Sequence, residues 1–361
     1  MKIAFLSQHA DMIGGGEYSL FDLLRGLPAA YVPLLIAPGA GELTRRAQAA
    51  GIEVQHLPLP PVGMQTPGAL RAWRRWLKQQ RPDLLHANGS RAALYGGLAA
   101  AGLKMPLIFH CRVNTADPRL DWLLARLTTR IVANSHATAA RFAGLCPQRT
   151  VVVHNGIDMP ATPMLHDHRI ELGGGRMLLC VARLSRWKRH DLLIEAFADL
   201  AESLRDLQLV LVGGADPHDP GWENDLKQLA LCFPCHERIH FVGHSDAMAD
   251  WYRVAHLLLL PSRAEPFGRV VIEAMASGVP VIAANAGGPA EIITSGSNGL
   301  LIDDDTPNGW STGMRRLLAD APLHAAIAAA GRRRASDFSL AAHVAKMVRL
   351  FDNVLAPEGS P

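Results

Sequence analysis

The stretch Leu257–Ile293 constrains the fold more than any other. Four consecutive leucines, Leu257–Leu260, are closed by Pro261. A short run that is apolar at every position predicts a parallel strand buried on both faces. A loop follows over Ser262–Gly268. Val270–Ser277 then reads as a helix that stops at Gly278. Pro280–Ala284 is the next strand, and Gly287-Gly288-Pro289 opens another helix carrying Glu291. Glu265 lies on the loop and Glu273 in the helix, with seven residues between them. The amides of Phe267, Gly268, Arg269 and Val270 fall where a helix begins, a place suited to an anion. The stretch is therefore suited to hold a phosphorylated ligand while carboxylates grip its hydroxyls.

This strand–loop–helix–strand block, through GGPAEII, resembles the E-x7-E signature of retaining glycosyltransferases of the GT4 type. The resemblance implies an α/β chain of GT-B architecture: two Rossmann-like domains whose parallel sheets face each other across a cleft. The chain is 361 residues long, room for about two domains of ~100–200 residues. The expected division is residues 1–160 for the acceptor, 161–337 for the nucleotide sugar, and a C-terminal helix, 338–361, crossing back to the first domain.

Hydrophobic residues make up 49% of the chain and charged residues 19%, which excludes a disordered polyelectrolyte. The apolar burst after Met1 is too short for a signal peptide, and no run approaches the roughly eighteen apolar residues of a membrane span. A cytoplasmic protein is expected. Five cysteines, mostly scattered, argue against a disulfide framework. Cys232-Phe-Pro-Cys235-His236 matches a haem-attachment pattern, but that chemistry needs export, so the match reads as coincidence in a loop. Charge is uneven: residues 1–160 hold 17 Lys+Arg against 9 Asp+Glu. A basic N-terminal half predicts an anionic acceptor, or peripheral contact with the inner membrane face. Nothing points to nucleic acid.

In the first half, Lys2–Ser7 is a strand followed by His9, the turn Gly14-Gly15-Gly16 and an amphipathic helix over Tyr18–Leu27. Strand, glycine-rich turn and helix start a Rossmann-like unit in which backbone can approach a phosphate. The glycines do not spell G-x-G-x-x-G, and they also fit a simple turn; the position of Gly15 and Gly16 resembles the family's first glycine-rich loop. Strands recur at Val32–Ala37, Val54–Leu57, Leu84–Ala87, Leu107–His110, Arg130–Ala133 and Val151–His154. Alternation with helices implies a parallel sheet covered on both faces. His110 ends its strand at the carboxyl edge, where open α/β sheets bind ligands. A strand-end histidine is often a packed structural residue, yet the family has a histidine near donor sugar and acceptor, which implies a catalytic role. Ser135 either contacts substrate or caps a helix over Ala137–Phe142. In Arg71–Arg81, Trp73, Trp76 and Leu77 share one helical face among basic residues. That pattern fits either an anionic membrane interface or a packed helix with a solvated basic face.

VVVHNGID, Val151–Asp158, resembles the family's NGID element, which ends the first domain. Ala161–Gly175 lacks apolar periodicity and is expected to be the linker. A second series starts with strand Met177–Leu184 and helix entry SRWKRHDLLIEAFADL. Arg183 and Lys188 in that turn resemble the family's G-R-L-x-x-x-K-G block. The chemistry is a pair of cations beside a helix start, able to hold a departing nucleoside diphosphate. Ala182 and Arg189 stand where the pattern has glycine, and Arg189 leaves the loop's shape open. Gln208–Gly214 ends in a glycine turn, with Gly213, that resembles the G-x-G element. His244 and Ser245 are placed near the base. Asp303–Asp305 looks like D-x-D but is expected to cap a helix over Gly309–Leu318. No metal ligand is assigned.

By resemblance, Glu273 holds the ribose and Glu265 the donor sugar. Arg183 and Lys188 neutralise the diphosphate with help from amides after Phe267. The expected reaction moves a sugar from a UDP- or GDP-sugar to a hydroxyl of a glycan or lipid-linked acceptor, with retention and with neither metal nor cofactor. Polysaccharide or lipopolysaccharide assembly at the cell surface is the expected setting. A nucleotide-sugar 2-epimerase and a non-catalytic sugar-nucleotide-binding protein are the alternatives on the same architecture.

Overall fold

The computed structural model describes residues 1–158, 166–169 and 171–356. They form two compact units: Met1–Ile157 with the C-terminal segment from Phe338, and Asp158–Asp337. Of the expected linker, residues 161–165 and 170 lie outside the described residues, as does the boundary at 160/161.

The first unit runs β1 (Lys2–Ser7), α1 (Gly15–Gly26), β2 (Val32–Ala37), α2 (Glu42–Ala49), β3 (Glu53–His56), α3 (Thr66–Gln80), β4 (Leu84–Asn88), α4 (Ser90–Ala100), β5 (Leu107–Cys111), α5 (Pro118–Leu127), β6 (Arg130–Ala133), α6 (His136–Ala139) and β7 (Thr150–Val152). The seven strands are parallel in the order β3-β2-β1-β4-β5-β6-β7. Strand order reverses between β1 and β4, the position at whose carboxyl edge such sheets form crevices. All five positions of β4 and of β5 are buried, as expected for central strands covered on both faces.

The helices divide between the faces. Helices α3, α4 and α5 pack one side, where Trp73, Trp76, Tyr95, Phe109 and Phe142 are buried together. This decides between the two readings of Arg71–Arg81. Trp73 and Trp76 are core residues, and their indole N–H groups donate to Pro58 O at 2.8 Å and Gln55 Oε1 at 2.5 Å. They are not membrane anchors. Helices α1 and α2 cover the other face.

The second unit runs β8 (Arg176–Val181), α7 (His190–Ala201), β9 (Leu207–Val212), α8 (Trp222–Leu231), β10 (Ile239–Gly243), α9 (Met248–Val254), β11 (Ala255–Leu260), α10 (Arg269–Ala276), β12 (Val281–Ala284), α11 (Pro289–Ile292), β13 (Leu300–Ile302), α12 (Pro307–Ala319) and α13 (Ala321–Ala335). Its six parallel strands are ordered β10-β9-β8-β11-β12-β13. The leucines of β11 are buried at the centre, between β8 and β12. Helix α13 has a weak apolar stripe, and no sequence pattern marked it.

The final helix, α14 (Leu340–Leu355), belongs to the first unit. The Ile157 amide donates to Phe338 O at 3.0 Å, and the Leu340 amide donates back to Ile157 O at 2.8 Å. Met347 and Phe351 are fully buried against Phe5, Leu20 and Tyr31. The Tyr31 hydroxyl donates to Asp352 Oδ1 at 2.5 Å. The aspartates before α12 do not cap it: Thr306 Oγ1 accepts from the Gly309 amide at 3.2 Å. Asp303 accepts from Asn285, while Asp305 pairs with Arg189 and Arg263. Cys232 is an exposed and Cys235 a buried free thiol. No helix among the described residues is long and apolar enough to cross a membrane.

Candidate active site

In the second unit, the loops after β8, β9, β11 and β12 meet at the carboxyl edge of the sheet. The β11–α10 loop carries Glu265. Gly268 precedes α10 with φ +89, the left-handed region that glycine enters without penalty. Among the described residues the Gly268 and Val270 amides donate to no backbone acceptor, which leaves donors at the start of α10 as the sequence pattern anticipates. The Gly287–Pro289 turn clamps this loop, because the Gly288 amide donates to Glu265 O at 2.9 Å. A Cβ on Gly288 would lie 2.3 Å from Phe267 Cα, so the turn can press on the loop only as glycine.

Lys188 crosses from the β8–α7 turn to Glu265, with Nζ 2.5 Å from Oε2 and each side chain 13% exposed. The ammonium also lies 4.0 Å from the centre of the Trp187 ring. Beneath the pair, burial pushes the Cys180 thiol up to about 12. Burial, with Lys188 adding to it, pushes His190 down to about 3, so that imidazole stays neutral.

Glu273 sits on α10 with a partner on each oxygen. The Tyr252 hydroxyl donates to Oε2 at 2.8 Å, and Arg269 Nε lies 3.2 Å from Oε1. Burial and then the charge of Glu273 drive the Tyr252 hydroxyl well above its usual 10. Tyr252 is therefore a fixed donor that orients the carboxylate. Sequence reading missed it, since Tyr252 reaches Glu273 from α9 and no motif carries it.

Arg183 is more loosely held, 39% exposed and 4.0 Å from Asp216. Burial raises the Asp216 carboxyl, but the Ser185 hydroxyl, the His218 amide and Arg183 outweigh it and leave it low. Gly213 is closely packed: its amide donates to Gly243 O at 2.8 Å, and a Cβ would lie 2.0 Å from Ala182 O. Arg189 adopts φ +57, in the left-handed region that favours glycine, and pairs with Asp305 at 2.9 Å. The loop keeps the glycine-like shape without glycine. Ser245 Oγ accepts from Trp251 Nε1 at 3.0 Å, which ties that loop to α9.

In the first unit, Gly15 opens α1, and Gly16 O accepts from Asn88 Nδ2 at 3.4 Å. His110 pairs with Asn88 across β4 and β5 and is fully buried. Its Nδ1 lies 3.2 Å from His86 Nε2 and 3.3 Å from Arg112 Nη2. Burial, followed by the Arg112 charge, holds His110 well below 6.5, and the same causes bring His86 to about 3. Both rings are neutral, and His110 is buried with its Nε2 left without a hydrogen-bond partner among the described residues. The rings beside it are His86 and His343, with centroids 5.3 and 6.4 Å away, while Phe5 and Phe351 pack on His86. Arg112 follows β5 at the same edge. It donates to Asn88 Oδ1 at 2.5 Å and Asn155 Oδ1 at 2.6 Å, beside Gly16. Arg112 was visible in IFHCR and Asn155 in NGID, but nothing local linked them. Ser135 caps α6 by accepting from the Thr138 amide at 2.9 Å.

Two α/β units, each with a parallel sheet, and an anion-ready helix start flanked by Lys188 and two carboxylates are the features of one class, the GT-B glycosyltransferases. Residues 13–159 match the model for Glycosyltransferase Family 4 and residues 167–334 that for Glycosyl transferases group 1. A D-inositol 3-phosphate glycosyltransferase of Jonesia denitrificans is 30% identical over 290 residues, covering 71% of this chain and 68% of that protein. One of Thermobispora bispora is 30% identical over 305 residues, covering 76% and 71%. Anabaena Alr3699/HepE, solved with UDP-glucose, superposes with a TM-score of 0.87 at 25% identity, covering 98% of this chain and 100% of that one. The chain belongs to glycosyltransferase family 4.

Proposed function

We propose that the protein transfers a glycosyl group from a uridine diphosphate sugar to an acceptor hydroxyl, with retention at the anomeric carbon and without a metal. The observation that carries this reading is the Lys188–Glu265 pair beside the start of α10. It puts a cation where a diphosphate would gain charge on leaving and a carboxylate where the sugar hydroxyls would lie. Glu273, oriented by Tyr252 and Arg269, takes the ribose hydroxyls. Arg183 is exposed enough to turn onto the diphosphate. Helix-start amides and these cations supply the charge stabilisation that a metal supplies elsewhere.

In the step itself, the acceptor oxygen bonds to the anomeric carbon on the face from which the diphosphate departs. The acceptor proton passes to the departing phosphate oxygen, and nucleoside diphosphate is released. Glu265 is not a nucleophile here. The bound UDP-glucose of the Anabaena relative favours uridine over guanosine. The D-inositol 3-phosphate named for the two bacterial relatives favours an acceptor with a phosphate near its hydroxyl, in keeping with the basic first unit. Gly15, Gly16 and Arg112 are the residues offered to it. A glycan or lipid-linked acceptor meets the same requirements.

Thermal shift with UDP, GDP, ADP and their sugar conjugates, with and without EDTA, tests the donor half. UDP at about 100 times Kd adds roughly 2.7 kcal/mol to the native state, and the shift should survive EDTA. A shift with GDP alone overturns the uridine assignment, one abolished by EDTA overturns metal independence, and none with any nucleotide overturns the donor site.

A further inference from the structure

The chain that leads into β8 folds back on itself at the start of the second unit. The amides of Leu172 and Gly174 both donate to Arg169 O, at 3.2 and 2.7 Å, and the turn returns Glu171 to the side of His166. His166 Nε2 lies 3.1 Å from Glu171 Oε1, and His168 Nδ1 lies 3.8 Å from Glu171 Oε2. One ligand atom from each of the three residues falls within 4.8 Å of the others. Asp167 is taken up by Arg169 through two hydrogen bonds of 3.0 and 2.7 Å, which neutralises the neighbouring guanidinium.

A surface contact accounts for His166 and Glu171, whose side chains are 49% and 62% exposed. It does not account for His168. That side chain is 14% exposed and stacks flat on the Trp251 ring, with centroids 3.8 Å apart and planes 5° from parallel. Trp251 is itself buried, and its indole N–H donates to Ser245 Oγ at 3.0 Å, so the imidazole rests on a fixed platform. Both His168 nitrogens are shielded from solvent, and neither has a hydrogen-bond partner among the described residues. A shielded polar atom without a partner is costly, and a bound ion or ligand removes the cost. Nδ1 is turned to Glu171 at a distance too long for a hydrogen bond and suited to a shared ion.

We infer that His166, His168 and Glu171 form a zinc site, with Nε2, Nδ1 and a carboxylate oxygen as ligands and water in the fourth position. Two imidazoles and one carboxylate suit this borderline-soft ion, whereas magnesium and calcium prefer oxygen ligands throughout. In a tetrahedral zinc site neighbouring ligand atoms lie about 3.3 Å apart, and the separations of 3.1 and 3.8 Å bracket that value. The ion fastens the entry to β8 onto α9, the helix whose Tyr252 orients Glu273. Its role is structural. It takes no part in sugar transfer, so the inference does not rest on the proposed reaction.

Titration of the full chain with cobalt(II) and zinc, after stripping with EDTA and dialysis, tests it. Cobalt should bind with the visible bands of a tetrahedral site, and zinc should displace it. Zinc should raise the melting temperature, as a ligand of the native state must, and magnesium should not. Binding should weaken in acid, where protons compete for both imidazoles. His166→Gln and Glu171→Gln, both at exposed positions, should lose the visible bands and the zinc shift, yet melt like the stripped wild type in EDTA. The thermal shift with UDP should be unchanged in both variants, which keeps a failure here distinct from a failure of the donor site. Absence of the visible bands, or bands that survive in either variant, overturns the inference. A thiolate-to-cobalt band in the near ultraviolet assigns the ion to the free thiols of Cys232 and Cys235 instead and also overturns it.

Discussion

Lys188 and Glu265, 77 positions apart, lie 2.5 Å from one another, each 13% exposed. The pair joins the β8–α7 turn to the β11–α10 loop, so one contact has both a structural and a chemical part. Removing one partner leaves a shielded charge without compensation, at a cost of about 3 kcal/mol. Lys188→Ala is expected to abolish turnover and to lower the melting temperature. Adding Glu265→Gln should restore most of the stability and none of the turnover. If the double variant melts no higher than Lys188→Ala, charge burial is not what couples the two loops.

Arg189 separates backbone from side chain. Its left-handed φ of +57 costs a non-glycine residue about 1 kcal/mol. Its partly exposed pairing with Asp305 returns about 0.2–1 kcal/mol. Arg189→Gly should therefore leave stability within about 0.5 kcal/mol of wild type, whereas Arg189→Ala loses the pair, keeps the strain and melts lower. Chemical denaturation of the two variants side by side measures this, and equal destabilisation would show that the backbone is unstrained.

Stability should fall in mild acid. His86 and His190 are held at about 3, His256 at about 4, and His110 well below 6.5, with burial as the leading cause in each. Below about 6.5 the unfolded chain binds protons that the folded chain refuses. Stability is therefore complete above that pH and declines as pH falls toward the folded values. The decline is about 1.4 kcal/mol per pH unit for each such histidine. Asp167, held at about 2 by its hydrogen bond to Arg169, loses its contribution only at lower pH and does not mask the effect. Melting curves between pH 7 and pH 5 check this, and a His86→Phe variant should show a shallower slope. A flat profile would mean that these imidazoles find proton partners in the fold.

Much of the architecture was legible because its signals are local. Fully apolar runs such as Leu257–Leu260 and Leu107–Phe109 mark central parallel strands wherever they lie. Gly268, Gly278 and the Gly287–Pro289 turn mark the ends of the intervening helices through backbone conformation alone. The spacing of Glu265 and Glu273 around a helix start is also local, and so the donor loop could be read along the chain. The partners of those residues could not. Tyr252 on Glu273, Lys188 on Glu265 and Arg112 on Asn155 each join segments that only the closed sheets bring together.

The same division explains the revised expectations. A histidine at a strand end reads identically whether exposed or buried, and tertiary packing buries His110 beside His86 and His343. A helix with tryptophans among arginines fits membrane or core equally. β3 and the loop after it decided for core by offering Gln55 Oε1 and Pro58 O to the indoles. The amino-acid sequence by itself determined the strands, the helix starts and the chemistry available at the donor loop, since neighbouring residues settle all three. Tertiary structure alone decided which charges are paired and which rings are buried. Those outcomes depend on the free energy of burial and on partners far away in the chain.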